Sequence, residues 1–142
     1  MRIPRLLALL LTLSVAATSP AAVAQSIDQL FEQGILAQSD GNYFQAELIW
    51  RRVIEIDPEL AFAYGNLGVA LYNQGKLEEA IAAFRQAIRL QPRYGYAYNN
   101  LGIALADQGK LGGAIAAFRQ VIQLYPSYAP SYNNLGVGFR LK

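Results

Sequence analysis

The sequence predicts an all-α fold, a solenoid of stacked antiparallel helix pairs, from three observations. Residues 61–94 and 95–128 align without a gap and are identical at 22 of 34 positions. The same 34-residue register extends back over residues 27–60 and forward over the last 14 residues, from Ala129. Each full copy holds two stretches of helical periodicity with a Gly-containing break between them. A fixed period of this length is typical of solenoids, in which each unit buries its apolar face against its neighbours.

The copy at residues 61–94 shows why each unit is predicted to be two helices, A and then B. The break between them, residues 73–76, ends one helix and forms a short turn around Gly75. Pro92 ends the second helix, because proline lacks a backbone N–H and disfavours helix at the residue before it. The residues at helical spacing are Tyr64, Leu67, Gly68 and Leu71 in helix A, and Leu77, Ala80, Ile81, Phe84 and Ile88 in helix B.

The first 24 residues are predicted to be a secretory signal peptide that is removed from the mature protein. Arg2 and Arg5 form a positive start, and residues 6–17 are dominated by Leu, Ala and Val. Residues 22–24 form an A-x-A cleavage site, so that the mature chain begins at Gln25. An uncleaved membrane anchor is the alternative, but crossing a bilayer takes roughly 20 apolar residues. We therefore expect an exported protein, either periplasmic or secreted.

Several positions recur when each copy is numbered from 1 to 34, starting at Ile27, Ala61 and Gly95. Position 8 is Gly and position 20 is Ala, which we attribute to a close approach of the two helix backbones. Position 24 is aromatic, and position 32 is Pro. The recurring residues are Gly34, Gly68, Gly102 and Gly136; Ala46, Ala80 and Ala114; Trp50, Phe84 and Phe118; and Pro58, Pro92 and Pro126.

This set of residues resembles the tetratricopeptide repeat, whose pattern is W-x2-L-G-x2-Y…A-x3-F…P. The resemblance covers residues 27–142. It implies a right-handed solenoid with full repeats at 27–60, 61–94 and 95–128 and a partial repeat at 129–142. It also implies a protein-binding module, because solenoids of this kind present extended concave surfaces.

Charge argues against a nucleic-acid partner. The chain has 12 basic and 10 acidic residues, so that removal of Arg2 and Arg5 with the signal peptide leaves it neutral. No basic patch with interleaved aromatic residues is present in the sequence. The charges are unevenly placed, since residues 27–60 sum to −5 and residues 61–142 sum to +5. Ordinary solvated faces explain this distribution, and electrostatic steering of a partner is the alternative.

The sequence does not predict catalytic chemistry. It contains no His and no Cys, which removes the usual zinc ligands and the Ser-His and Cys-His pairs of nucleophilic catalysis. Its carboxylates cluster near Asp57, at a helix end, and at Glu78-Glu79, in the first turn of a helix B, where acids favour the helix dipole. We expect no enzyme activity, no cofactor and no metal site.

The resemblance to the tetratricopeptide repeat places groove-facing side chains at positions 2, 5, 6, 9, 12 and 13 of helix A. Asn66, Asn100 and Asn134 share position 6. We predict that they form a ladder that pairs with the backbone of an extended peptide, because each amide offers donors and an acceptor. Repeat inheritance of Asn, without any partner, is the alternative. The candidate groove residues are Phe62, Gly65, Asn66, Val69, Tyr72, Asn73, Tyr96, Asn99, Asn100, Ile103, Ala106, Asp107, Asn133, Asn134 and Val137.

One known use of this family, the clamp of chaperone adaptors for C-terminal carboxylates, is not predicted. That clamp needs Lys and Asn on the first helix A, Asn on the second, and Lys and Arg on the third. The matching positions here hold Phe31, Ile35, Asn66, Tyr96 and Asn100. Only Asn66 fits, so we expect a different partner.

Two other functions are left open by the sequence. One is a structural or assembly subunit that associates through its ends, and the other is a glycan or cell-wall binder, since Tyr is plentiful and the groove is predicted to be neutral. The last predicted helix, residues 129–142, has no helix B behind it. We expect it to expose an apolar strip that supports self-association. Either this strip docks a second copy or a partner, or the chain is a fragment of a longer array.

Overall fold

The computed structural model describes residues 25–128 together with residues 133, 134 and 136. This part of the chain contains six α-helices and no strand, and consecutive helices pack against one another as antiparallel pairs. The predicted all-α fold is confirmed. The predicted signal peptide and most of the predicted last helix lie outside the described residues. The helices are α1 (Ile27–Ser39), α2 (Tyr43–Ile56), α3 (Ala61–Asn73), α4 (Leu77–Leu90), α5 (Gly95–Asp107) and α6 (Leu111–Leu124).

Each helix pair is joined by a three-residue turn with Gly at its centre. In the second pair the N–H of Lys76 donates to the carbonyl of Leu71 over 3.0 Å, and Gly75 between them has φ of 76°. Only Gly enters this left-handed region without steric cost, which explains why the turn residue recurs. The predicted turn around Gly75 is therefore confirmed. The corresponding glycines are Gly41, with φ of 73°, and Gly109, with φ of 75°.

The Gly at position 8 is small for a reason different from the predicted one. We expected two helix backbones to approach closely there. Instead, the aromatic ring at position 24 lies directly on the glycine, and a Cβ built on Gly34 would stand 2.7 Å from the ring of Trp50. Gly68 meets Phe84 and Gly102 meets Phe118 in the same way. Position 8 therefore makes room for the ring that fills the space between helices A and B.

The core is one continuous row of side chains along the stack. Ala at position 20 is fully buried in all three pairs, beside the aromatic residue of position 24. Trp50 is fully buried, and its one polar atom has a hydrogen-bond partner there, since Nε1 donates to Oε1 of Gln38 over 2.6 Å. The largest fully buried side chains are Trp50, Phe84, Leu71, Val53 and Val121.

A buried carboxylate joins the first two helix pairs. Glu47 occupies position 21, where the later repeats have Ile81 and Ile115. Its side chain is 9% exposed and lies 2.8 Å from Nζ of Lys76 and 2.9 Å from Nη2 of Arg51. Nε2 of Gln74 also donates to it over 2.8 Å. The repeat pattern alone predicted no role for Glu47.

These contacts set the ionisation of Glu47. Burial alone would raise its pKa, but the hydrogen bonds from Lys76, Gln74 and Arg51 and the charge of Lys76 outweigh burial and lower the pKa from 4.5 to about 2. Glu47 is therefore a carboxylate throughout the physiological range. It holds the turn that follows α3 against α2.

Candidate functional site

The first helices of successive pairs, α1, α3 and α5, supply the predicted groove, and α3 contacts α5 directly. At position 2 of the repeat, Phe62 and Tyr96 keep 39% and 46% of their surface exposed. At position 9, Val69 and Ile103 are half-buried against the core. Of the other predicted residues, Tyr72, Asn99, Asn100, Ala106 and Asn134 are half-buried, Asn73, Asp107 and Asn133 are exposed, Gly65 and Asn66 are buried, and Val137 lies outside the described residues.

The predicted Asn ladder makes hydrogen bonds inside the protein. Nδ2 of Asn66 donates to the carbonyl of Phe62 over 2.9 Å, and Nδ2 of Asn100 donates to the carbonyl of Tyr96 over the same distance. Asn134 differs, because its Nδ2 reaches Oδ1 of Asn99 in the preceding repeat at 2.9 Å. Each of the three Asn side chains at position 6 therefore uses one N–H of its amide inside the protein. The second N–H and the amide oxygen of each are left to bind other partners. Asn66 is only 8% exposed, so it is the least accessible of the three to a binding partner.

Aromatic rings line the groove where α1 meets α3. Phe31 and Phe62 are stacked with centroids 5.2 Å apart, and the ring of Trp50 stands edge-on to Phe31, also at 5.2 Å. Beside them is a cavity of about 610 Å³. Phe31 entered the sequence-based predictions only as a mismatch to the carboxylate clamp, although its repeat position and the exposed position of Phe62 in the next repeat were signals of this cluster. The cavity is lined by Ile27, Asp28, Phe31, Glu32 and Leu60.

A second cavity, of about 530 Å³, lies at the α5 end of the groove. The rings of Tyr94 and Tyr96 are stacked there with centroids 5.8 Å apart. Burial raises the pKa of Tyr94 to about 12 and also raises that of Tyr96, so that both phenols stay neutral at physiological pH. The cavity is lined by Tyr94, Gly95, Tyr96, Asn99, Val121, Tyr125, Ser127 and Tyr128.

Two predicted groove residues, Tyr72 and Asp107, form a direct bridge between α3 and α5. The hydroxyl of Tyr72 donates to Oδ2 of Asp107 in a short hydrogen bond. That bond, followed by burial, raises the pKa of Tyr72. The bridge links positions 12 and 13 of neighbouring repeats. The 34-residue period could have indicated it, because it sets those positions side by side.

The residues of the predicted groove offer a surface for binding. Within residues 25–128, 133, 134 and 136, no three Asp or Glu side chains come close enough to hold a metal ion. The groove supplies aromatic faces, half-buried aliphatic side chains, amides and a few carboxylates. Such a surface suits non-covalent recognition of a polypeptide or another elongated ligand. None of the helices in the described part is long and apolar enough to cross a membrane.

The chain matches a family model and none of the curated sequences. The model described as tetratricopeptide repeat matches residues 31–92 and 66–129, which together cover more than half of the chain. A search of curated proteins by sequence finds no match.

Solved structures share the fold. The crystal structure of MamA is similar with a TM-score of 0.80 and 26% identity, over 84% of this chain and 70% of MamA. The first tetratricopeptide domain of Spaghetti (RPAP3), bound to the HSP90 peptide SRMEEVD, is similar with a TM-score of 0.79 and 23% identity, over 81% of this chain and 91% of that one. The second tetratricopeptide domain of human RPAP3, in complex with the HSP70 peptide SGPTIEEVD, is similar with a TM-score of 0.74 and 28% identity, over 77% of this chain and 91% of that one.

Proposed function

This chain belongs to the tetratricopeptide repeat family, and on that premise we propose that it is a non-catalytic interaction module that binds an extended protein segment in the groove of α1, α3 and α5. One observation carries the proposal. Phe62 and Tyr96 hold the same repeat position on consecutive helices, and both keep more than a third of their surface exposed. Large aromatic side chains repeated along a concave face are typical anchors for a bound chain.

The solved relatives support the same class of function. Two of the similar structures hold a short peptide, one from HSP90 and one from HSP70. Those peptides belong to their own complexes, and this chain has Phe31, Ile35, Tyr96 and Asn100 at four of the five positions of the carboxylate clamp. We propose a peptide-binding groove of the same general kind with a different partner.

We propose further that the protein works outside the cytoplasm. The support is the pattern of residues 1–24, with two Arg residues, an apolar run and an A-x-A site. Intact-mass measurement of the protein recovered from an expressing bacterium tests this directly. A chain starting at Gln25 in the periplasm or medium agrees with export, and a chain that keeps Met1 in the cytoplasm or membrane contradicts it.

The groove is tested by replacing its exposed aromatic residues. We expect the double variant Phe62→Ser, Tyr96→Ser to lose capture of the partner from an extract of the producing organism, because two anchors of the groove are removed. Ile56→Ser is the matched control, since Ile56 is a large apolar residue on α2 with 45% exposure. Equal capture by the folded groove variant would move binding to another surface.

A glycan ligand is the second candidate, favoured by the tyrosine-lined cavity at the α5 end. Tyrosine rings present flat faces and a hydroxyl, which suits a sugar as well as a peptide. Competition separates the two candidates. If captured protein is displaced by soluble peptidoglycan fragments and by no peptide, the cavity serves glycan binding and the peptide proposal fails.

A further inference from the structure

The three helices that supply the groove carry acidic residues and no basic ones. α1 contains Asp28 and Glu32, α3 contains no charged residue, and α5 contains Asp107. Every Lys and Arg within residues 25–128 lies on a helix B or in a connecting turn. The neutral groove expected from the sequence is therefore an acidic one, and its charge is concentrated at the α1 end.

The two carboxylates of α1 lie on one aromatic cavity. Asp28 and Glu32 are one helical turn apart, so they share a face of α1, and both line the cavity that contains Phe31. Both side chains are exposed, and among the described residues no ion pair or hydrogen bond reaches either carboxylate. Glu47 and Glu79, in contrast, have basic partners.

We propose that the groove selects a cationic segment, with a Lys or Arg side chain of the partner seated over α1 between Asp28 and Glu32. This inference deepens the proposed peptide-binding function and rests on it. Like charges one turn apart repel, and a bound cation removes that repulsion. The alkyl stem of Lys or Arg packs against apolar surface while its charged head stays among polar groups. Phe31, which lines the cavity together with Asp28 and Glu32, supplies that apolar surface here.

The rest of the bound segment is expected to be uncharged and apolar. α3 offers the half-buried Val69, and the α5 end offers the tyrosine cavity, whose Tyr94 and Tyr96 are neutral. Arg93 precedes α5 and reduces the acidity of that end. The cation is therefore directed to α1, and acidic segments such as those of the RPAP3 complexes, which end in EEVD, are disfavoured.

The geometry also gives a spacing between the two anchors. Closely packed helices lie 8–10 Å apart, and α3 contacts α5 less extensively than it contacts α4, so that two steps from α1 to α5 span about 20 Å or more. An extended chain covers about 3.3 Å per residue. The partner is therefore expected to place its Lys or Arg about six residues from the apolar residue that enters the tyrosine cavity.

The test uses the purified protein and a library of ten-residue peptides in which every position is randomised in turn. We expect bound peptides to be enriched in Lys or Arg at one position, depleted of Asp and Glu there, and enriched in apolar residues about six positions away. The double variant Asp28→Asn, Glu32→Gln is expected to bind the best selected peptide about tenfold more weakly, because it loses two charge contacts. The library selected by this variant should show no basic preference.

The matched control is the double variant Asp40→Asn, Glu55→Gln, which removes two carboxylates outside the groove and should leave peptide affinity and preference unchanged. Selection of neutral or acidic peptides by the wild-type protein would overturn the cationic preference and leave the peptide groove standing. Selection of no peptide at all would overturn the proposed function as well. A basic preference that survives in Asp28→Asn, Glu32→Gln would place the cation elsewhere.

Discussion

At the scale of single residues, Glu47 is a position where the first repeat departs from its copies. The later repeats keep position 21 apolar, whereas Glu47 gathers Arg51, Gln74 and Lys76 around a nearly buried carboxylate. Its folded-state pKa of about 2 lies below the ordinary value of 4.5. The contribution of this network to stability is therefore complete above about pH 4.5 and is lost as the pH falls toward 2.

Replacing Glu47 by Ile, the residue of the other repeats, tests that contribution. At pH 7 we expect the free energy of unfolding of Glu47→Ile to stay within about 1 kcal/mol of the wild type, because apolar replacement of a buried ion pair is often neutral. Two of the three partners also keep other contacts: Arg51 reaches Glu79, and Gln74 reaches the carbonyls of Tyr43 and Ala70.

The free energies of unfolding of the wild type and of Glu47→Ile are expected to differ at acidic pH. Between pH 5 and pH 2 the wild type should lose about 2 kcal/mol more than Glu47→Ile, measured by urea unfolding at each pH. Glu47→Gln serves as the comparison, since it keeps the shape, loses the charge, and should be destabilised by about 1–3 kcal/mol at pH 7. Parallel pH profiles of the wild type and Glu47→Ile would show that another group controls acid stability.

A second residue-scale prediction concerns the glycine under the aromatic ring. A Cβ on Gly68 would meet Cε1 of Phe84 at 2.5 Å, and that ring is 1% exposed. We expect Gly68→Ala to destabilise the fold by about 1–3 kcal/mol in spite of the better helix propensity of Ala. Adding Phe84→Leu should recover part of the loss, as a double-mutant cycle. Additive losses would mean that the ring is not the obstacle.

At the scale of elements, periodicity predicted each described helix pair and each turn. The 3.6-residue spacing assigns side chains to faces, and the Gly and Pro residues mark the ends. It could not identify which atoms meet across a pair, and for that reason position 8 was assigned to backbone approach although the ring of Phe84 lies there. The same limit applies to Glu47, since its partners Gln74 and Lys76 come from a different helix pair.

For the predicted groove, the repeat register named some residues that are exposed and others that are buried, among them Gly65 and Asn66, and it did not give the chemistry. Phe62 and Tyr96 are exposed at the predicted position. The side-chain amides of Asn66 and Asn100 lie on their own helix backbone, which a period alone does not reveal. Binding by these Asn residues stays a prediction, and replacing Asn66, Asn100 and Asn134 by Ala in a variant of unchanged helicity tests it through the loss of partner affinity.

Helix α6 is the element most open to stabilisation. It begins with Leu111-Gly112-Gly113, whereas α4 has acids in its first turn, where they favour the helix dipole. A Cβ on Gly112 meets nothing within 4 Å, so Gly112→Ala should add about 0.5–1 kcal/mol to the free energy of unfolding. A Cβ on Gly113 stands 3.3 Å from Cδ1 of Leu105, so Gly113→Ala should gain less.

The double variant Gly112→Glu, Gly113→Glu gives the first turn of α6 the two acids that α4 has. It should raise the melting temperature further, as measured by circular dichroism. Gly75→Ala is the contrasting control. Gly75 has equally open space but a φ of 76°, so a side chain there is strained and should destabilise the fold. A fall in melting temperature for Gly112→Ala would reveal a packing role for that glycine.

At the scale of the whole molecule, the outer face of α1 differs from the corresponding faces of α3 and α5. Positions 3 and 7 are Ala63 and Leu67 in α3, both buried against the preceding helix pair. In α1 the same positions are Gln29 and Gln33, and both are exposed. A solenoid needs a polar outer face where its stack ends, because a bare stacking face is apolar and associates. Gln29 and Gln33 make the corresponding face of α1 polar, although Leu36 beside them is 61% exposed.

Giving α1 the stacking residues of α3 should therefore make the molecule associate. The double variant Gln29→Ala, Gln33→Leu creates, together with Leu36, a contiguous apolar strip on α1, and it also removes the hydrogen bond from the N–H of Ser26 to Gln29. We expect sedimentation velocity to show a larger, concentration-dependent mass than the wild type at the same concentrations. Gln123→Leu, which adds one exposed Leu on α6 away from this face, should sediment like the wild type. If Gln29→Ala, Gln33→Leu also does so, the polar side chains at positions 29 and 33 are not what limits association through this face of α1.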